Sequence, residues 1–204
     1  KVSDQLIADS GYGQGQILMN PVQLASIYSA FVNNGSIYQP HIIQGQTKTW
    51  IKNVFSKETT KTIKEDLINA IADENGTGHA IYHDHVVLAG KTGTVSMTGG
   101  NRDIWMAAYT PEISVSVWMG FDQTDAKHKI SNGVTGGRNT ASLAAAFFKK
   151  AYADRDKPNF SQPDGLIWLT LDKRALTSRG SVMLASDKTP KEYRISEVFA
   201  LSLI

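Results

Sequence analysis

The pentapeptide Gly90-Lys91-Thr92-Gly93-Thr94 sets a cation beside two hydroxyls and two glycines. A phosphate-binding loop would need a glycine five residues before Gly90, where His85 stands, and a helix after the Lys-Thr pair. The run Thr94-Val95-Ser96 instead has the texture of a strand. On a strand, period-two alternation places Thr92 and Thr94 on one face. Two such hydroxyls can grip a carboxylate, a lysine beside them supplies positive potential for the same anion, and a strand edge offers a backbone N–H to an oxyanion. Three-residue motifs also arise by chance, so the surroundings have to decide between this chemistry and an accidental Lys-Thr-Gly. The other candidate cluster is His79, His83 and His85, the first two spaced for one helical face. Zinc needs three or four ligands with supporting partners. Only Asp84 accompanies these histidines, and Gly76 and Gly78 point to irregular backbone. Surface histidines, no metal and no cofactor are therefore expected.

The elements that must position the pentapeptide are legible on both sides of it. Asn20-Pro21-Val22-Gln23 combines a cap, a first-turn proline and a capping-box glutamine. Leu24, Ile27, Tyr28 and Phe31 come next at helical spacing, and Asn33-Asn34-Gly35 supplies a left-handed stop. A second helix is predicted over 56–73, with Ser56 as cap and Ile63, Leu67 and Ile71 recurring every four residues, ended by Asn75-Gly76-Thr77-Gly78. Strands are predicted over 86–96, 104–109 and 113–119, joined by short turns into an antiparallel meander. In the third, Ile113, Val115, Val117 and Met119 alternate with Ser114, Ser116 and Trp118. An Ala-rich helix over 139–152 closes this part. Trp105, Trp118, Phe147 and Phe148 sit on regular strand and helix positions and are expected to pack in the core. Beyond Pro158 and Pro163, short strands over 166–171 and 181–185 suggest a small β appendage. The plan is α+β, an antiparallel sheet flanked by helices.

The Lys-Thr-Gly context resembles the transpeptidase domain of penicillin-binding proteins, in which a K-T-G strand lines the active site. Ser10-Gly11-Tyr12-Gly13-Gln14-Gly15, then Asn20-Pro21-Val22-Gln23-Leu24-Ala25, Asn33-Asn34-Gly35 and Pro40-His41 look like the stretch that precedes K-T-G in that family, in order and spacing. The Gly-Tyr-Gly-Gln-Gly block is similar to class B enzymes, including the low-affinity group behind methicillin resistance. Asp103-Ile104-Trp105, Tyr109-Thr110-Pro111 and Val117-Trp118-Met119-Gly120-Phe121-Asp122 resemble the bifunctional class A enzymes, so the class stays open. The resemblance spans roughly residues 5–155. It implies acyl transfer from a D-Ala-D-Ala stem peptide through a serine ester, with β-lactams as covalent inhibitors. It further implies that Thr92 and Thr94 hold the substrate carboxylate beside Gly93. Lys91 would support the nucleophile's proton network and the anion site, and the Thr94 N–H would complete the oxyanion hole. Hydrolytic relatives, a D,D-carboxypeptidase or β-lactamase, share K-T-G but usually lack this lead-in and long tail. A penicillin-binding sensor module without turnover is the alternative of a different class.

The family's nucleophile lies in S-x-x-K and a second motif is S-x-N, both upstream of the Gly-Tyr-Gly-Gln-Gly block. No S-x-x-K precedes that block here, and Ser26, Ser29 and Ser36 come after it. The nucleophile and its lysine are thus expected in an upstream part of the same protein. The chain opens Lys1-Val2-Ser3-Asp4, without an initiator methionine, and reads as the carboxy-terminal part of the domain over 1–155 with a linker and β-rich extension over 156–204. The row Ile113, Val115, Val117 and Met119 is expected to need covering by that upstream part. The chain has 204 residues, no cysteine and a net charge of +2, so neither disulfides nor a nucleic-acid face is indicated. The longest apolar stretch, 141–148, is too short to span a bilayer. A place on the outer face of the bacterial membrane, anchored from upstream, is what the resemblance implies.

Overall fold

Side-chain caps start each of the helices the spacing predicts before the sheet. The computed structural model describes residues 3–15, 17–83, 86–155, 157–160, 166–175 and 181–200. A short helix α1 (Asp4–Gly11), capped by Ser3, has no buried residue, and so carries none of the apolar periodicity that would announce it. In α2 (Pro21–Ser29) the Asn20 side chain accepts from the Gln23 N–H at 2.9 Å, and the Gln23 side chain accepts from the Asn20 N–H at 3.2 Å. The chain leaves α2 through turns that end with Asn34 (φ 50°) and Gly35 (φ 78°). A Cβ on Gly35 would lie 2.1 Å from the Phe55 carbonyl oxygen, so space as well as dihedral demands glycine. A hairpin of β1 (Ile37–Tyr38) and β2 (Thr49–Ile51) comes next, its strands too short to show alternation. Ser56 then caps α3 (Lys57–Ala72) by accepting from the Thr59 N–H at 3.1 Å.

Three strands form the meander in the order β3-β4-β5: β3 (Ala89–Met97), β4 (Gly100–Tyr109) and β5 (Ser114–Gly120), all antiparallel. The first begins three residues later than the spacing predicts, because 86–88 approach the sheet unpaired while Val86 and Leu88 bury their side chains. One face of the sheet carries Met106 and Ala108, with Val115 and Val117 beside them, over Ile71, Ile81, Ala141, Ala144 and Phe148. Ile113, Val115 and Val117 are partly covered from within the chain, by α3, by the 3-10 turn His79–Ile81 and by α4 (Ala141–Ala151). These three residues are half-buried, while Met119, the fourth of the row, is 36% exposed. α4 starts after a single π-turn, Gly136–Thr140, where the spacing predicts helix from 139.

The opposite face packs Tyr109 and Ala89 with Phe31 and Leu67, bordered by Tyr28, Val32 and Phe55. Here α2 is tied to β5 by the Ser114 hydroxyl, which donates to the Ala25 carbonyl at 2.7 Å. The Thr110 and Tyr152 hydroxyls share a buried bond of 2.6 Å that joins the β4–β5 turn to the end of α4. Of the four aromatics expected in the core, Phe148 is buried, Phe147 is 46% exposed, and Trp105 and Trp118 lie on the second face outside the clusters. The two tryptophans are there because alternation sends them away from α4.

The chain divides into two compact units, Lys1–Phe160 and Ser161–Ile204. In the second, β6 (Leu166–Asp172) pairs antiparallel with β7 (Arg194–Ala200), a strand the spacing does not announce. The strand predicted over 181–185 is reduced to one bridge, Leu184 to Leu171, with the Ala185 N–H donating to the Thr170 carbonyl at 2.7 Å. The fold is α+β.

Candidate active site

Lys91, Thr92, Gly93 and Thr94 lie in the middle of β3, and β3 is an outer strand of the sheet. In an antiparallel strand the N–H and C=O of one residue point the same way. The Thr94 carbonyl points away from β4, since it accepts from the Gln14 side-chain amide at 3.4 Å. The Thr94 N–H therefore faces the same open edge. The Thr92 carbonyl faces it too, accepting from the Lys91 ammonium at 3.3 Å.

The hydroxyls of Thr92 and Thr94 share the face that meets the π-turn before α4. The Gly136 N–H donates to Thr94 Oγ1 at 3.5 Å, which leaves the hydroxyl proton free to be donated. Among the described residues the Thr92 hydroxyl has no hydrogen-bond partner. Gly136 sits directly on the sheet backbone: a Cβ there would lie 2.5 Å from the Trp105 carbonyl oxygen and 2.6 Å from that of Gly93. Lys91 leaves the strand on the other face, yet its ammonium turns back to the edge and donates to Thr77 Oγ1 at 3.0 Å. No carboxylate pairs with Lys91 among the described residues. Its positive charge is thus left for an anion arriving at the strand edge.

A groove of about 630 Å³ runs along this edge and over the second face of the sheet. Lys91, Thr92, Gly93, Thr94 and Val95 form one wall; Gln14, Leu18, Leu24 and Tyr28 form the other, with Trp105 and Trp118 beneath. The two indoles lie 6.1 Å apart at 45°. Asp103 fixes the second by accepting from Trp118 Nε1 at 2.9 Å, and Arg102 Nε donates to the same carboxylate at 2.7 Å. A Cβ on Gly120 would come 2.5 Å from the Trp118 ring, so glycine makes room for the indole. Burial pushes the Tyr28 phenol up, and burial followed by the neighbouring Tyr28 does the same to Tyr109. Both stay neutral and supply no base.

The remaining sequence candidates are dispersed. His79 is half-buried, bonded through Nδ1 to the Ile71 carbonyl at 3.0 Å and stacked on Tyr82, which corrects the expectation of a surface residue. It lies in a three-residue 3-10 turn that ends at Ile81, so His79 and His83 share no helical face. His85 and Asp84 lie outside the described residues. Sequence reasoning takes Thr77 for part of a helix stop and gives Gln14, Arg102 and Gly136 no separate role. The glycines flanking Thr77 and the Gly136-Gly137 pair are the available signals, since adjacent glycines mark close backbone approach.

A family model described as the penicillin binding protein transpeptidase domain matches residues 1–153. Penicillin-binding protein 3 of Bacillus subtilis is 36% identical over 119 residues, which are 54% of this chain and 18% of that protein. Penicillin-binding protein 1A/1B of the same organism is 29% identical over 93% of this chain and 22% of its own length. The chain thus spans about a fifth of these relatives. Among solved structures, the PonA1 protein from Mycobacterium tuberculosis in complex with penicillin V aligns with a TM-score of 0.55 at 20% identity, covering 73% of this chain and 42% of that one, a likeness of fold. With three quarters of its length inside the family model, the chain belongs to the penicillin-binding protein transpeptidase domain family.

Proposed function

We propose that this chain is the carboxy-terminal part of a serine D,D-transpeptidase that cross-links peptidoglycan stem peptides and is acylated by β-lactams. The observation that carries the reading is the open edge of β3, where an uncompensated ammonium, two threonine hydroxyls and a free N–H stand within four residues. An extended peptide ending in a carboxylate can add to such an edge, its anion meeting Lys91 and the hydroxyls of Thr92 and Thr94. The Thr94 N–H then faces the position where a tetrahedral oxyanion develops. Lys91 has the further role of supporting the proton network of an attacking serine.

That serine and its lysine belong to an upstream part of the same protein, which also holds the enzyme at the outer face of the membrane. The groove supports this: K-T-G lines it together with Trp105 and Trp118, and the Trp118 indole is 36% exposed. Among the described residues no helix is long and apolar enough to cross a membrane. The test uses the full-length protein and a fluorescent penicillin. Lys91→Ala should lower the acylation rate roughly 100-fold or more, the scale for removing one electrostatic group from an acyl-transfer site, with an unchanged melting temperature. Undiminished labelling would place Lys91 outside the site.

A further inference from the structure

The turn after α3, Asn75-Gly76-Thr77-Gly78, is more than a helix stop. The Gly76 N–H donates to the Asp73 carbonyl at 2.8 Å and the Gly78 N–H to the Ala70 carbonyl at 3.0 Å, so both neighbours of Thr77 are bonded to the last turns of α3. Gly76 leaves no room for a side chain, since a Cβ would lie 2.4 Å from the Ala70 carbonyl oxygen, and Gly78 is tight, with a Cβ 3.1 Å from Ile71 Cγ1. From the far side Gly137 presses on the turn, where a Cβ would come 2.8 Å from the Thr77 carbonyl oxygen. α3 is itself anchored through Leu67 and Ile71, one in each core cluster. The backbone at Thr77 is thereby held in place, and its side chain stands exposed beside β3.

The Thr77 hydroxyl meets the Lys91 ammonium at 3.0 Å. A lysine side chain is flexible, and unrestrained it would sample many positions off the strand. Proteins commonly fix a lysine with a carboxylate, but such a partner also neutralises the charge. Thr77 and the Thr92 carbonyl are both uncharged acceptors.

We propose that Thr77 is a positioning residue for Lys91, holding its ammonium at the open edge of β3 through a neutral acceptor, so that the lysine is fixed in place while its charge remains available to the substrate anion. This rests on the reading of the K-T-G strand as a β-lactam acylation site.

The experiment is a double-mutant cycle in the full-length protein, scored by the second-order rate of acylation by a fluorescent penicillin, with thermal unfolding alongside. Thr77→Val should slow acylation about tenfold, the scale for a hydrogen bond to a charged group. Thr77→Ser, which keeps the hydroxyl, should stay within about threefold of the parent. In a Lys91→Ala background Thr77→Val should cost less than about twofold more, because its effect runs through the lysine. Should Thr77→Val unfold early, Thr77→Ala takes its place in the cycle. A parent-like rate for the hydroxyl-free variant, or an equal loss with and without Lys91, overturns the role of Thr77 and leaves the site reading standing. A parent-like rate for Lys91→Ala alone overturns the site reading and this inference together.

Discussion

Thr94 puts each of its polar groups to a different use. Its carbonyl is held by Gln14, its hydroxyl oxygen by the Gly136 N–H, and its own N–H faces the edge while the hydroxyl proton remains free to be donated. That arrangement depends on how closely the π-turn approaches β3, and Gly136 sets the approach. Gly136→Ala would drive a methyl into two carbonyl oxygens, of Trp105 and Gly93, neither of which is the free end of a flexible side chain. The expected cost is about 1–3 kcal/mol of stability, the range for overpacking a filled site. Denaturant unfolding of the full-length protein measures it, and a loss below about 0.5 kcal/mol, the scale of a neutral surface change, would show that the turn does not seat on the sheet. Acylation should fall as well, because the Gly93 backbone is part of the strand that presents Thr94.

α2 links the sequence signal to the site most directly at the level of elements. Its capping box fixes where the helix begins, and successive turns supply Leu24 and Tyr28 to the groove wall. Asn20→Ala removes the acceptor for the Gln23 N–H and should cost about 1 kcal/mol, seen as a lower unfolding midpoint with the denaturant slope unchanged. An unchanged midpoint would mean that α2 is held by packing alone. β3 behaves differently: its alternation is sound, but its polar groups are bonded by partners from three other segments, Gln14, Thr77 and Gly136. None of the three is near it in sequence.

For the molecule as a whole, the two faces of the sheet have different fates. One is packed by α3 and α4 within the chain, and the other is covered by α2, Phe31 and Leu67 only around Tyr109 and Ala89. Trp118 is 36% exposed at the floor of the groove and Leu18 90% exposed on its wall. A contiguous apolar surface of this kind marks a site of association. Covalent catalysis also needs a nucleophile beside a base, and the groove of this chain presents cations, hydroxyl donors and an N–H without a serine. The isolated 204-residue chain is therefore expected to form no covalent adduct with a labelled penicillin, as read by intact-mass spectrometry. A stoichiometric adduct on any of its serines would refute the need for an upstream part.

Local chemistry was enough to set much of this. The caps at Asn20 and Ser56, the alternation through β3 to β5, and the Lys-Thr-Gly-Thr run are short-range patterns, and each acts within a few residues of where it is written. Elements whose signals are weak, such as the unburied α1 and the two- and three-residue strands of the β1–β2 hairpin, were not legible because they bury too little to impose a period. Alternation separates the residues of β5 into two rows, but it does not say which row meets α4 and which faces the groove. The chain's own packing decided that, setting Val115 and Val117 half-buried against the first core cluster and leaving the indole of Trp118 open. The tether between Thr77 and Lys91 spans fourteen residues and joins a helix end to a strand edge, so only the tertiary fold brings the hydroxyl and the ammonium together.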